Sequence, residues 1–184
     1  KIMPEETNRV LTDHISNILF IPSENARINL ASEGIKDNVY NVGDIMYDSI
    51  KLFSEQLYHS NVLHKLSLLP KKYYVATLHR PENVDNKKKL TILIEALGEL
   101  NNKVVIPLHP RTKARLEEYS IKPNENTIII EPLSYIDMIN LVKNSLIVLT
   151  DSGGLQKDAY YLEVPCITLR EETEWIETIE SGWN

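Results

Sequence analysis

Leu146-Ile147-Val148-Leu149-Thr150 is an uninterrupted run of apolar and β-branched residues, and it leads directly into Asp151-Ser152-Gly153-Gly154. A strand that is apolar on both faces is typical of a parallel sheet covered by helices on both sides. The next residues, Leu155 to Leu162, carry apolar side chains at roughly helical spacing. The stretch therefore predicts a strand, a glycine turn and a helix, which is the repeating unit of an α/β fold.

Six further β-rich runs occur along the chain, and segments of helical periodicity separate them. These runs are Asn17 to Ile21, Asn38 to Val42, Tyr73 to Thr77, Lys103 to Leu108, Thr127 to Ile130 and Cys166 to Leu169. The alternation of strands and helices predicts an α/β fold with a doubly wound parallel sheet of the Rossmann-like kind.

The two ends of the chain differ from those of a complete domain. Pro4 to Ser16 predicts a helix without a preceding strand, so we expect residues 1–16 to connect to a further, N-terminal domain. We expect residues 17–184 to form the Rossmann-like domain, and Trp183 near the end suggests that this domain continues beyond the sequence.

Composition excludes several classes of function. The chain has 26 acidic and 20 basic residues, a net charge of -6, so it lacks the positive field that attracts nucleic acids. Its single cysteine, Cys166, lies in an apolar run, which predicts a buried thiol and fits a reducing cytoplasm. No apolar stretch approaches the roughly 20 residues of a membrane helix, so no membrane partner is expected.

The turn Ser152-Gly153-Gly154 is a candidate anion site. Glycines let a ligand approach the backbone closely, and the first turn of a helix offers free N–H groups and the positive end of the helix dipole. The alternative is an ordinary strand-to-helix turn capped by Asp151 or Ser152. A phosphorylated ligand is favoured if other polar groups converge on the same edge of the sheet.

Two further segments place polar residues directly after apolar strands. His79 and Arg80 follow one such strand, and His109 and Arg111 follow the next. Ligands of open α/β sheets bind at the carboxyl ends of the strands, so we expect both pairs to meet the glycine turn. His79 and Arg80 are suited to bind a diphosphate, and His79 is also suited to move a proton.

Other candidates have a weaker basis in the sequence. Met138, with Tyr135, lies on a predicted helix that enters near the same edge and is placed to touch a base, although such residues more often pack in a core. Glu5 lies in the first turn of a helix, where an acidic residue is stabilising without any catalytic role. The scattered histidines and single cysteine show no metal-ligand spacing, so we predict no metal site.

Four segments, in order along the chain, resemble the non-hydrolysing UDP-N-acetylglucosamine 2-epimerases, and the resemblance covers nearly the whole chain. They are Pro4-Glu5-Glu6-Thr7-Asn8-Arg9, Leu11-Thr12-Asp13-His14, Thr77-Leu78-His79-Arg80-Pro81-Glu82-Asn83 and Thr150-Asp151-Ser152-Gly153-Gly154-Leu155-Gln156. The resemblance implies two Rossmann-like domains in the glycosyltransferase-B arrangement, with the substrate between them. This chain resembles the second domain and the connecting helix, without the first domain.

The resemblance also implies a reaction. In the family, UDP is eliminated from the sugar nucleotide to give a 2-acetamidoglucal, and UDP then adds back with C2 inverted, without a cofactor. By this resemblance Glu5 is an acid/base carboxylate, and His79 is catalytic or stabilises the diphosphate. Ser152-Gly153-Gly154 matches the diphosphate-binding positions, and His109-Pro110-Arg111 falls in a segment beside the ligand.

One position departs from the family pattern. Two residues after the DSGGxQ motif, where the family has a glutamate that binds the ribose, this chain has Asp158, one methylene shorter. We expect Asp158 to keep that role. The resemblance further implies a cytoplasmic enzyme of cell-surface polysaccharide biosynthesis, a homodimer of the full-length protein, and UDP-N-acetylglucosamine and UDP as its ligands. Because other acid/base residues of the family lie in the first domain, we expect this chain alone to be inactive.

Three other functions stay open from the sequence. They are a hydrolysing 2-epimerase that releases N-acetylmannosamine and UDP, a glycosyltransferase of the same architecture, and a nucleotide-binding regulatory module without catalysis. The products formed from UDP-N-acetylglucosamine would distinguish them.

Overall fold

A computed structural model describes the backbone of residues 4–184 and the side chains from Glu6 onward. The helices are α1 (Pro4–Ile15), α2 (Glu24–Ser32), α3 (Ile45–Leu52), α4 (Val62–Lys65), α5 (Pro81–Val84), α6 (Lys87–Gly98), α7 (Pro110–Tyr119), α8 (Tyr135–Lys143), α9 (Gly153–Tyr161) and α10 (Ile176–Glu180), with a short 3-10 helix at Gln56–His59. The strands are β1 (Leu19–Ile21), β2 (Val39–Asn41), β3 (Tyr73–Thr77), β4 (Lys103–Pro107), β5 (Thr127–Ile130), β6 (Ile147–Thr150) and β7 (Cys166–Thr168).

The chain divides into two compact units, and the boundary between Ser49 and Ile50 falls inside α3. The sequence analysis placed a boundary after residue 16 instead. The strands β1 and β2 explain the difference, because they pair in parallel with each other as a sheet of their own. A run of β-rich residues predicts a strand but does not identify the strand with which it pairs. The assignment of the two parts to domains of a longer protein stays a prediction.

The smaller unit has a small apolar core and an exposed apolar face. Its core residues Ile21, Leu30 and Val39 are buried together between α2 and the two strands. On the strands, Phe20 and Tyr40 lie opposite each other, with ring centroids 6.3 Å apart, and both side chains are exposed. Parallel sheets are normally covered on both faces, whereas the side chains of Phe20 and Tyr40 are exposed here.

The larger unit contains a five-stranded parallel sheet with the strand order β5-β4-β3-β6-β7. Alternate residues of each strand face opposite sides. Tyr74 and Ala76 pack in a core with residues of α6 and α7, whereas Tyr73 and Val75 pack in a second core with residues of α8 and α9. Helices thus cover both faces, which confirms the predicted doubly wound, Rossmann-like α/β fold.

The strand order places a topological switch point between β3 and β6. From β3 the chain adds β4 and β5 on one side, and it then returns to the other side of β3 to add β6 and β7. Connections on the two sides of such a point diverge, which opens a crevice at the carboxyl ends of the two central strands. A ligand of this unit is therefore expected where β3 and β6 end.

Two other predictions concern the whole chain. Cys166 is a free, buried cysteine as predicted, and its burial raises the pKa of the thiol to about 12. None of the helices in the described part of the chain is long and apolar enough to cross a membrane.

Candidate functional site

The glycine turn follows β6 at the switch point. The helix α9 begins at Gly153, two residues earlier than the sequence predicted, so both glycines lie in its first turn. Ser152 is the N-cap, and its hydroxyl accepts a hydrogen bond from the N–H of Leu155 at 3.4 Å. The remaining N–H groups of this turn are oriented as in an anion-binding helix terminus.

A pair of threonines ties this turn to the neighbouring strand. The N–H of Ser152 donates to Oγ1 of Thr150 at 2.9 Å, and that hydroxyl lies 2.5 Å from Oγ1 of Thr77. Because Thr77 ends β3 and Thr150 ends β6, the contact fixes the two strand ends relative to each other.

Asp151 is the centre of the hydrogen-bond network at this edge. Its carboxylate is fully buried and accepts the N–H of His79 at 3.1 and 3.0 Å, the N–H of Arg80 at 3.0 Å and Nδ2 of Asn83 at 3.0 Å. Burial raises the pKa of Asp151, but hydrogen bonds from the His79 side chain, the Arg80 N–H and Asn83 outweigh it and hold the pKa below its ordinary value. Asp151 is therefore ionised at neutral pH.

Asp151 also contacts the imidazole of His79. Nδ1 of His79 lies 3.0 Å from Oδ1 of Asp151, and about a third of the His79 side chain is exposed (33%). The sequence analysis treated Asp151 only as a possible helix cap. An acidic residue placed directly after a wholly apolar strand was the signal for a larger role, because a buried carboxylate needs several donors.

The third strand end contributes His109. The ring centroids of His79 and His109 are 5.6 Å apart, so these two predicted site residues meet at the edge of the sheet. His109 is the N-cap of α7, and its Nδ1 accepts the N–H of Arg111 at 3.2 Å. An Nδ1 that accepts leaves the proton of a neutral imidazole on Nε2, so His109 offers a donor to a ligand.

The side chain of Arg111 pairs with Asp85 rather than with this cluster. Its Nε donates to Asp85 at 3.3 Å and its Nη2 contacts the same carboxylate, which Arg115 also binds at 2.9 Å. Hydrogen bonds from Arg111 and Arg115 lower the pKa of Asp85. The Arg111 side chain is therefore held at the surface by Asp85 and is not part of the His79 and His109 cluster.

The start of α8 and the second turn of α9 form another part of the site. Asp158 is buried, and burial together with the negative charge of Asp158 raises the pKa of Tyr135. Tyr135 also packs edge-on against Phe53, with centroids 6.1 Å apart. Met138 is half-buried and packs on the core between α8 and α9, as the alternative interpretation of its sequence position expected.

A segment that the sequence analysis did not single out covers the glycine turn. Nε1 of Trp175 donates to the carbonyl of Gly153 at 2.8 Å, and Thr173 donates to Gln156 at 2.6 Å. The carboxylate of Glu174 lies against Gly153, with its Cδ 2.9 Å from where a Cβ would stand. Glu174, whose carboxylate also pairs with Arg170, therefore lies on the side of Gly153 where a Cβ would stand.

Other predicted site features have different outcomes. The backbone of Glu5 belongs to α1, but the side chain of Glu5 lies outside the described part of the structure. Arg80 is the N-cap of α5, with its N–H bound to Asp151. Among the side chains from Glu6 to Asn184, no group of three or more histidines, cysteines or acidic residues is arranged to hold a metal ion.

Comparison with known proteins supports the interpretation of this edge. The family model described as UDP-N-acetylglucosamine 2-epimerase matches residues 1–184. The chain belongs to the UDP-N-acetylglucosamine 2-epimerase family. The predicted resemblance is thereby confirmed, and the two segments that meet at the switch point are two of the four on which it rested.

Several family members are similar over almost the whole chain. A UDP-N-acetylglucosamine 2-epimerase homolog of Methanococcus maripaludis is 52% identical, over 99% of this chain and 53% of that protein. The UDP-2,3-diacetamido-2,3-dideoxy-D-glucuronate 2-epimerase of Pseudomonas aeruginosa is 42% identical, over 99% of this chain and 51% of that protein. The chain thus spans about half the length of the curated relatives it matches.

A solved structure of a family member has the same fold. The crystal structure of the Methanocaldococcus jannaschii UDP-GlcNAc 2-epimerase, in complex with UDP-GlcNAc and UDP, superposes with a TM-score of 0.91 at 43% identity. The match covers 99% of this chain and 53% of that one. The Rossmann-like fold is therefore that of one half of a glycosyltransferase-B epimerase.

Proposed function

We propose that the protein containing this chain interconverts UDP-N-acetylglucosamine and UDP-N-acetylmannosamine by elimination and re-addition of UDP, and that this chain supplies the UDP-binding half. The observation that carries the proposal is the glycine turn of α9, which follows β6 at the switch point beside the end of β3 that carries His79. Family membership supports the reaction class, and the Methanocaldococcus jannaschii complex with UDP-GlcNAc and UDP supports the ligand.

The glycine turn provides the anion site that the reaction needs. Elimination leaves negative charge on the departing UDP, and the first-turn N–H groups and dipole of α9 favour charge at that position. Donors that bind the leaving group more strongly as its charge develops increase the rate rather than ground-state affinity. We assign Ser152, Gly153 and Gly154 to the diphosphate.

The residues around the turn receive the remaining roles. His79 and Arg80 act on the departing diphosphate, and His109 donates through Nε2 to the ligand. Asp158 lies one turn further along the buried part of α9, close enough to Tyr135 to affect its pKa, and we assign it to the ribose. We assign Met138, which packs on the core between α8 and α9, to the base side of the same region, and we assign Glu5 to acid/base chemistry from the family resemblance alone.

The exposed apolar face of the smaller unit supports the proposal that another part of a longer protein covers it. Phe20 and Tyr40 lie together on the uncovered face of a parallel pair of strands. Relatives are about twice as long as this chain, and parallel sheets are covered on both faces. We assign the cover to another part of a longer protein, which we take to be a cytoplasmic homodimer that serves cell-surface polysaccharide biosynthesis.

The test of the function is product analysis with the intact protein. Incubation with UDP-N-acetylglucosamine in deuterated water is expected to give UDP-N-acetylmannosamine with deuterium at C2. NMR of the product measures this incorporation. Free N-acetylmannosamine and UDP would identify a hydrolysing epimerase, and turnover that needs an acceptor would identify a transferase. Binding without any product would indicate a regulatory module.

Identifying the sugar of the substrate requires a second sugar nucleotide in the same assay. The Pseudomonas aeruginosa relative is named for a diacetamido-glucuronate, and it is nearly as similar to this chain as the Methanocaldococcus jannaschii enzyme is. We expect faster turnover of UDP-N-acetylglucosamine than of UDP-2,3-diacetamido-2,3-dideoxyglucuronate. The reverse preference would replace the proposed substrate and keep the reaction at C2.

The 184-residue chain by itself is expected to show no epimerisation above background. The family resemblance implies that part of the acid/base set lies in another domain, and the curated relatives that carry the activity in their names are about twice as long. The measurement is deuterium incorporation at C2, with the intact protein as the positive control. Turnover by the isolated chain would contradict the assignment of part of the acid/base set to another region.

A further inference from the structure

The imidazole of His79 has two nitrogens with different surroundings. Nδ1 lies 3.0 Å from Oδ1 of Asp151. Among the described residues, no hydrogen-bond partner of Nε2 is found. The two nitrogens therefore differ, because Nδ1 contacts a buried carboxylate and Nε2 is left for a ligand.

The protonation of Nδ1 follows from the chemistry of its partner. An ionised carboxylate only accepts hydrogen bonds, so the nitrogen that faces it must carry a proton. The neutral imidazole of His79 then has its lone pair on Nε2. Consequently Nε2 becomes a donor to a leaving diphosphate only when it has taken a proton from solvent, and the Asp151 carboxylate balances the positive charge of the ring that results.

The turn alone does not need the imidazole contact. The backbone N–H groups of His79 and Arg80 and the amide of Asn83 already bind Asp151 and close the loop after β3. The contact between Asp151 and Nδ1 additionally fixes the orientation of the imidazole ring. It also gives His79 the opposite tautomer from His109, whose Nδ1 accepts the N–H of Arg111.

We propose that Asp151 is a positioning residue for the proposed reaction, which holds His79 in the Nδ1–H tautomer so that only Nε2 meets the substrate. The inference rests on the proposed function for its consequence in catalysis, but the tautomer itself is a property of the protein without substrate. Asp151 thus connects the carboxyl ends of β3 and β6 and determines the tautomer of His79.

The test measures the tautomer directly. In the intact protein labelled with ¹⁵N-histidine, the His79 signals, assigned by their loss in His79→Gln, are expected to show protonated Nδ1 and unprotonated Nε2 in the neutral ring. In Asp151→Asn, the side chain can present a donor to Nδ1, and we expect the Nε2–H tautomer or a mixture. Turnover of UDP-N-acetylglucosamine should fall about 100-fold or more, with KM changed far less.

Asn83→Ala is the matched control for loss of the network. It removes one donor from the same carboxylate and leaves the Asp151 to His79 contact in place. We expect Asn83→Ala to keep the Nδ1–H tautomer of His79, although the folded variant should be less stable than the wild type. If both variants lost the tautomer equally, Asp151 would act only through the fold of the loop, and the proposal would be overturned.

The wild-type spectrum decides the matter even if Asp151→Asn does not fold. An Nε2–H tautomer of His79 in the unmodified protein would overturn the proposal by itself, as would an unchanged Nδ1–H tautomer in folded Asp151→Asn. The predicted tautomer without epimerase activity would instead leave the control of the tautomer by Asp151 standing and refute the proposed function.

Discussion

Replacement of His79 by alanine in the intact protein is expected to lower the rate of C2 proton exchange about 100- to 1000-fold, the usual effect of removing one donor to a developing anion. His79 lies where β3 ends beside the glycine turn, so its Nε2 is placed to stabilise the departing UDP. Ground-state affinity for UDP should change much less, because the donor acts mainly as charge develops.

The choice of a second variant follows from the contact with Asp151. The amide nitrogen of glutamine lies near the position of imidazole Nε2, whereas that of asparagine lies near Nδ1. His79→Gln thus keeps a donor to the ligand but cannot move a proton at neutral pH. We expect His79→Gln to retain clearly more exchange than His79→Asn or His79→Ala.

The control is a histidine outside the site. His64 is exposed in α4, so His64→Gln should leave exchange unchanged. If His79→Gln were as slow as His79→Ala while His64→Gln stayed normal, His79 would act by proton transfer, and the leaving-group role would be wrong.

Substitution of Gly153 by valine is expected to abolish UDP binding in calorimetry. A branched side chain there would fill the space through which a phosphate approaches the N–H groups of α9. The structure adds a second effect, because a Cβ at Gly153 would also contact Glu174 and lie 3.3 Å from Nε1 of Trp175. The single variant therefore tests two contacts at once.

Removal of the Glu174 side chain separates these contacts. Glu174→Ala alone should bind UDP at least as tightly as the wild type, because a negative charge no longer lies against Gly153. The double variant Gly153→Val/Glu174→Ala relieves the clash but still blocks the phosphate, so it should not bind. Restored binding in the double variant would mean that Gly153 serves the covering segment and not the ligand.

The strands of the larger unit were predictable because each is a short apolar run bounded by polar or turn residues. The bounds of β3 and β5 agree with the prediction, and β4, β6 and β7 differ at an end by one residue. The separate pairing of β1 and β2 was not predictable, because their sequences carry no information on which strand each adjoins.

The candidate site was predictable to the level of which strand ends meet. Polar residues after β3, β4 and β6 identified His79, His109 and the glycine turn, and the parallel sheet brings them together. Contacts between residues far apart in sequence were not predictable. Glu174 reaches Gly153 from an irregular segment, and Arg111 pairs with Asp85 on another helix end, with no periodic pattern to indicate either contact.

The central claim is that the first turn of α9 binds the diphosphate, and the six glycines of the chain provide the most direct test. In ¹⁵N-glycine-labelled chain titrated with UDP, the amide signals of Gly153 and Gly154 are expected to shift far more than those of Gly34, Gly98 and Gly182. Alanine replacement at each position assigns the signals, and uridine, which lacks the diphosphate, should cause much smaller shifts. If UDP bound while the signals of Gly153 and Gly154 stayed in place, or if UDP and uridine shifted them equally, the claim would be contradicted.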